Sequence, residues 1–119
     1  MPFEEYNATV MDHFLNPRNT GELPHPTHSA FVRNPTCGDQ LKLTLLVKEG
    51  VVSDARVKTF GCAAAIAASS ALTELLIGRT VEDARKIRNS DVVTVLGGLP
   101  ENKVACSVVA EDALRAAFA

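Results

Sequence analysis

Three cysteines carry the chemistry this sequence offers: Cys37 in Asn34-Pro35-Thr36-Cys37-Gly38-Asp39, Cys62 in Phe60-Gly61-Cys62-Ala63, and Cys106 in Lys103-Val104-Ala105-Cys106-Ser107. They are far apart in the chain, so only folding can bring them together. Each is read at the edge of a periodic segment rather than inside an apolar run. That placement suits thiols held at loop ends around a common site. Three thiolates plus one oxygen or nitrogen complete a tetrahedral shell for iron–sulfur chemistry or zinc.

The neighbours of each thiol sharpen this. Gly38 allows close backbone approach to a bound group, and Asp39 offers a hard oxygen ligand two residues from Cys37. Cys62 falls where a strand is expected to give way to a helix, and amides at a helix N-terminus favour the thiolate. Cys106 is expected just before the last helix, with Lys103 upstream as a cationic neighbour. A lone cysteine is often no more than a small core hydrophobe. Three of them, all at segment edges, are not explained that way. Asp39 has a competing role as a turn cap, and Lys103 as a solvated loop lysine. His13 falls on the apolar stripe of the first expected helix and reads as a hydrogen-bonded core histidine. His25 and His28 lie in a Pro-rich loop away from any cysteine, which makes all three imidazoles weak ligand candidates.

The bulk properties exclude several classes. At 119 residues the chain reads as a single domain, 1–119, with a core that needs no staples. A formal net charge of −2, with basic residues scattered, gives no electrostatic case for nucleic acid or an anionic membrane. The absence of Trp removes the best base-stacking side chain. The N-terminus does not read as a signal peptide and no apolar run is long enough to span a bilayer. An odd cysteine count without a secretion signal points to reduced thiols in the cytoplasm.

The elements that must position the thiols follow from periodicity. Tyr6, Val10, His13 and Phe14 repeat at helical spacing, and Asn16-Pro17 stops that helix. Residues 18–29 read as a loop and Ala30 to Arg33 as a short strand. Leu41 to Val47 and Val51 to Phe60 form a hairpin through Lys48-Glu49-Gly50, with Gly50 taking positive φ. In the second strand Val51, Ala55, Val57 and Thr59 are expected on the core face, with Arg56 and Lys58 solvated. Cys62 to Ile77 is apolar almost all round, as a buried central helix should be, and Gly78 closes it. Thr80 to Asp83 has the pattern of a capping box, with Glu82 and Lys86 paired, and Ser90-Asp91 opens a short fourth helix. Val109, Ala113, Ala116 and Ala117 line one face of a last helix, where Glu111 pairs with Arg115. The order predicts α+β: a small three-stranded antiparallel sheet with helices packed on one face.

At these residues the chain resembles the iron–sulfur cluster scaffold family of IscU and the N-terminal domain of NifU. The likeness runs through Tyr6, Asp12-His13-Phe14, Asn16-Pro17-Arg18-Asn19, Cys37-Gly38-Asp39 and Asp54-Ala55-Arg56. It continues through Lys58 to Cys62, Ala65-Ile66-Ala67, Ser69-Ser70, Leu99-Pro100, Lys103, Cys106-Ser107 and Ala110 to Ala113. The resemblance implies a SufE/NifU-like fold and a scaffold rather than a turnover enzyme. Such a scaffold accepts sulfur from a cysteine desulfurase of the IscS/NifS kind, builds a [2Fe–2S] cluster from iron, and hands it to apo-proteins. It implies Cys37, Cys62 and Cys106 as cluster ligands or persulfide acceptors, Asp39 as a metal-binding carboxylate, and frataxin-like, ferredoxin or Hsp70-type chaperone partners. Monomer and homodimer both fit.

Two departures matter. Family members usually carry histidine before the third cysteine, where this chain has Ala105, which makes Asp39 the leading fourth ligand. The usual Leu-Pro-Pro-Val-Lys chaperone stretch reads Leu99-Pro100-Glu101-Asn102-Lys103, which weakens the case for a dedicated Hsp70-type chaperone. The chain ends just after the last expected helix, leaving no room for the further domains of NifU, and the SufU insertion between the second and third cysteines is not seen. The competing reading is a zinc-binding sulfur acceptor that activates a desulfurase without holding a cluster.

Overall fold

The structure, a computed structural model, describes residues 6–35 and 38–119. Helix α1 (Ala8–Leu15) leads into strands β1 (His28–Arg33), β2 (Gln40–Lys48) and β3 (Val51–Phe60). Helices α2 (Ala63–Leu76), α3 (Val81–Ala84), α4 (Asn89–Val95) and α5 (Val104–Ala117) follow, with a 3-10 turn (Glu101–Lys103) before the last. The three strands form an antiparallel meander in the order β1-β2-β3. Leu41, Leu43 and Leu45 of β2 face the same side as Ala55 and Val57 of β3, all buried, and α2 and α5 cover that side. Phe31, Lys42, Lys58 and Phe60 lie on the other. The α+β expectation, with helices on one face, holds.

The β2–β3 turn is the two-residue Glu49-Gly50, with φ of 53° and 76°. Both are positive, as a type I′ hairpin requires, and Gly50 supplies one of them without steric cost. One register irregularity follows. Leu46 pairs with Asp54 but Val47 pairs with Val52, which leaves Ser53 as the extra residue of a bulge. The bulge shifts the alternation by one, so Val52 is fully buried and Val51, expected in the core, is only half-buried. Arg56 is likewise not solvated: it is half-buried and donates to Asp54 and to the Asn19 Oδ1.

Helix α2 sits at the centre. Ala64, Ala65, Ala67, Ala68, Ala71, Leu72 and Leu76 have no exposed surface, and the small side chains let α1, α5 and the sheet approach it. Its buried hydroxyls are all bonded. Ser69 donates to the Ala65 carbonyl and accepts from Thr59, and Thr73 donates to the Ser70 carbonyl. Segment 16–21 docks across this polar seam. The Arg18 amide donates to Ser70 Oγ, Asn19 Nδ2 donates to Thr73 Oγ1, and Asn19 O accepts from Val57 N. Asn19 does this at φ 54°, the left-handed region that asparagine tolerates better than most residues.

The outer helices are short and capped. Asn7 Oδ1 accepts from Val10 N at the start of α1, while its Nδ2 donates to the carbonyls of Leu96 and Gly98, tying α1 to the end of α4. Such caps contribute about 1 kcal/mol. Thr80 caps α3 through the Asp83 amide. On α5 the buried face is Ser107, Val109, Ala110, Ala113, Leu114 and Ala117. Ala116, expected inward, is exposed and Leu114 takes its place, because the stripe of a helix with 3.6 residues per turn passes through 110, 114 and 117.

His13 bridges α1 and α2, with Nδ1 against Ser70 Oγ at 2.7 Å and Nε2 3.4 Å from Glu74. It is the hydrogen-bonded core histidine expected. Burial pushes its pKa below the usual 6.5, and the nearby Arg18 adds to this, with Glu74 and Asp12 pulling the other way. The unfolded chain therefore binds the proton more readily, so this contribution to stability is full above pH 6.5 and lost as the pH falls below it. Urea melts at pH 7.5, 6.5 and 5.5 should show stability dropping on the acid side. His13→Gln should flatten that slope; an unchanged slope in the variant would assign it to other groups.

Candidate metal centre

The end of the molecule where β2 begins and β3 finishes gathers residues from three parts of the chain. Gln40 pairs with Phe60, so the antiparallel register carries Asp39 to a position across from Gly61. The chain then turns into α2 with Cys62 as its N-cap. Helix α5 brings Cys106 to the same place. Ligand atoms of Asp39, Cys62 and Cys106 all lie within 4.8 Å of one another. The edge of a tetrahedron built on metal–sulfur bonds of 2.3 Å is about 3.8 Å, so modest closure brings three donors onto one ion.

The carboxylate of Asp39 is held inside this group. Asp39 is 6% exposed; its Oδ1 accepts from the Cys62 amide at 3.4 Å and its Oδ2 from the Cys62 thiol at 3.6 Å. It is aimed at the first turn of α2. Gly61 makes room for it: a Cβ built there would lie 2.7 Å from Asp39 Cγ and 2.8 Å from Oδ1. The loop before β2 is closed at its base, since Asn34 N donates to Asp39 O and Gly38 N to Asn34 O, both at 2.7 Å. The Asn34 side chain reaches the Ala105 carbonyl at 3.4 Å, which ties this loop to the first turn of α5.

Both described thiols are half-buried, neither sealed in the core nor fully exposed. Cys62 stands at the strand-to-helix switch as expected. Cys106 does not precede the last helix: α5 starts at Val104, and Cys106 occupies its first turn. A 3-10 turn runs straight into α5 there, so the helix begins earlier than its apolar stripe suggests. Lys103 is half-buried at the junction of the two. Cys37 falls outside the described residues. None of the histidines joins the group. His13 is bound to Ser70, His25 is exposed, and the His28 ring packs 5.1 Å from that of Phe118.

A shallow cleft of about 380 Å³ opens beside the donors, lined by Gly38, Asp39, Gln40, Phe60 and Gly61. Sequence reasoning missed Asn34 and Gly61 as parts of the site. Gly61 left a signal, a glycine where a strand hands over to a helix. Its meaning depends on what stands opposite, which only register reveals. Two thiols, soft donors once deprotonated, and one hard carboxylate at one half-open end of the fold form a mixed donor set suited to iron or zinc.

The family model described as NifU-like N terminal domain matches residues 5–119. The chain is 47% identical over 113 residues to iron–sulfur cluster assembly scaffold protein IscU 1 of Archaeoglobus fulgidus, covering 95% of this chain and 74% of the relative. It is 44% identical over 118 residues to the IscU scaffold protein of Escherichia coli K12, covering 96% of this chain and 91% of that one. In fold it is similar to a crystal structure described as a candidate scaffold protein for the SUF system from Fervidobacterium islandicum AW-1. That match has a TM-score of 0.85 at 18% identity and covers the whole of both chains. With a family model spanning almost its full length and relatives this similar, the chain belongs to the IscU/NifU N-terminal domain family.

Proposed function

We infer that this chain is a scaffold on which iron–sulfur clusters are assembled, with Cys37, Asp39, Cys62 and Cys106 holding the cargo as a [2Fe–2S] unit. Family membership supports the scaffold role. The observation that carries the ligand set is the gathering of Asp39, Cys62 and Cys106 within 4.8 Å. Cys37 stands two residues from Asp39 in the chain and completes three thiolates. With Ala105 in place of an imidazole, Asp39 is the fourth donor.

Sulfur arrives as the outer sulfur of a persulfide on a cysteine desulfurase. A thiolate of this chain attacks that sulfur, forms a new S–S bond and releases the desulfurase cysteine as thiolate. Two electrons per sulfur, from a ferredoxin-type reductant, reduce it to sulfide beside the bound iron. Cys37, flanked by Pro35 and Gly38, is the preferred acceptor, with Cys106 as the alternative. The carboxylate is a harder and weaker partner for cluster iron than thiolate, so the iron it holds is where an incoming thiol of an apo-protein attacks. The chain acts as scaffold and sulfur acceptor rather than as a turnover enzyme. No helix among the described residues is long and apolar enough to cross a membrane, and we place its work in the cytoplasm.

A second reading, a zinc-bound sulfur acceptor, has the same donors and the size of the triangle in its favour, which suits a single tetrahedral ion. Anaerobic incubation with iron, cysteine and a desulfurase separates the two. The cluster reading expects visible absorption that moves to apo-ferredoxin, and a colourless protein whose zinc stimulates the desulfurase would favour the other.

The same preparation tests Asp39. Asp39→Ala should change the lifetime of the bound cluster and slow its transfer; identical spectra, lifetimes and transfer rates would remove Asp39 from the ligand set. Mass spectrometry after reaction with desulfurase and cysteine should find added sulfur on Cys37 or Cys106. Unchanged loading in the Cys37→Ser, Cys106→Ser double variant would sink that assignment. Finally, one equivalent of zinc should shield Cys62 and Cys106 together from a thiol reagent. Protection of one without the other would mean they do not share an ion.

A further inference from the structure

We propose that Gly61 is a positioning residue for the metal centre: its missing side chain is the space in which the Asp39 carboxylate is held against Cys62. The inference deepens the proposed function and rests on Asp39 being a ligand there.

Gly61 is not a glycine for reasons of backbone conformation. Its φ is outside the left-handed region, in contrast to Gly38, Gly50, Gly78, Gly97 and Gly98. A β-carbon at those five meets no atom closer than 3.3 Å, whereas at Gly61 it would stand 2.7 Å from Asp39 Cγ, 2.8 Å from Oδ1 and 3.0 Å from Cβ. Contacts under about 3 Å between such atoms are well inside the 3.5–4.0 Å optimum. The overlap is therefore with one side chain, and specifically with its functional end.

The carboxylate has few ways to yield. The Asp39 carbonyl is fixed by the Asn34 amide at 2.7 Å, and the next residue, Gln40, is already paired with Phe60. What remains is rotation of the side chain, which would break its contacts with the Cys62 amide and thiol. An alanine at 61 is thus expected to leave the fold and all the donor residues in place while turning one donor away. That is the behaviour of a supporting residue around a metal, where substitution typically costs 10- to 100-fold in affinity.

The test is a double-mutant cycle read by metal binding alone. Zn²⁺ affinity, by competition with a chelator, and the visible bands of the Co²⁺ form are measured for wild type, Asp39→Ala, Gly61→Ala and the double variant. Gly61→Ala should weaken Zn²⁺ binding about 10-fold or more and shift the Co²⁺ bands toward those of Asp39→Ala. The double variant should bind no worse than Asp39→Ala, because the displaced group is already gone. If Asp39→Ala weakens binding and Gly61→Ala does not, the role of Gly61 is refuted while Asp39 stays a ligand. Independent, additive losses refute it equally. If Asp39→Ala has no effect, the ligand assignment itself fails, and the Gly61 role with it. Should Gly61→Ala unfold, Asp39→Gly in that background removes every overlapping atom and should restore thermal stability. No recovery would show that the space at Gly61 serves something other than Asp39.

Discussion

Helix α2 is packed on every side, and this burial sets where everything at the metal end can be. A run of alanines with Ser69, Ser70 and Thr73 gives it a thin profile, so the sheet, α1 and α5 all reach it closely. Interiors packed at crystal-like density leave such a helix little freedom to slide or roll. Its first residue, Ala63, is therefore fixed relative to the sheet, and Cys62 with it. The β2–β3 register does the rest. Because side chains alternate along a strand, a slip of one residue would send Asp39 to the opposite face from the thiols. The donor triangle is a consequence of the packing of α2 and α5 on the sheet and of one strand register, not of local sequence.

The same arrangement separates stability from function. Apolar burial is concentrated in the three leucines of β2, in α2 and on the inner face of α5. The donors stand at the rim, where the described thiols are half-buried and a shallow cleft opens beside them. A cargo that must arrive in parts and leave whole needs access, and a rim site provides it without opening the core. Between rim and core lies the polar seam of α2, whose hydroxyls dock segment 16–21 and whose neighbour His13 joins α1 to it. The buried hydroxyls of Ser69, Ser70 and Thr73 all have partners, which fixes one arrangement of these pieces, since each misplacement strands a donor or acceptor. Asn16-Pro17-Arg18-Asn19, which looks like a loop in the sequence, is thus a structural clamp.

Much of this was legible in the chain. The second strand, the turn at Gly50, the buried central helix and its closing glycine all follow from patterns repeated over many residues, where one error does not change the outcome. The misjudgements fell where a single residue decides. Val52 replaces Val51 in the core because Ser53 forms a bulge, and no propensity marks a bulge in advance. Arg56 is drawn out of solvent by Asn19 and Asp54, the first of which is remote in sequence. Ala116 gives way to Leu114 because a stripe of small residues leaves the phase of a helix loosely defined. Cys106 lies inside α5 because the 3-10 turn before it extends the helix backward.

By itself the sequence determined the candidate donor types, the strand-to-helix position of Cys62, the α+β class and the family. These are written in residue identity and short-range spacing, which need no fold to be read. The tertiary structure alone decided which donors meet. Asp39 and Gly61 are brought face to face by strand pairing, Asn34 and Ala105 by the docking of α5, and Cys62 and Cys106 by the packing of two helices on one sheet. Such contacts join residues distant in the chain and depend on register and packing to within a single position. The sequence encodes them only through the summed energetics of the whole core.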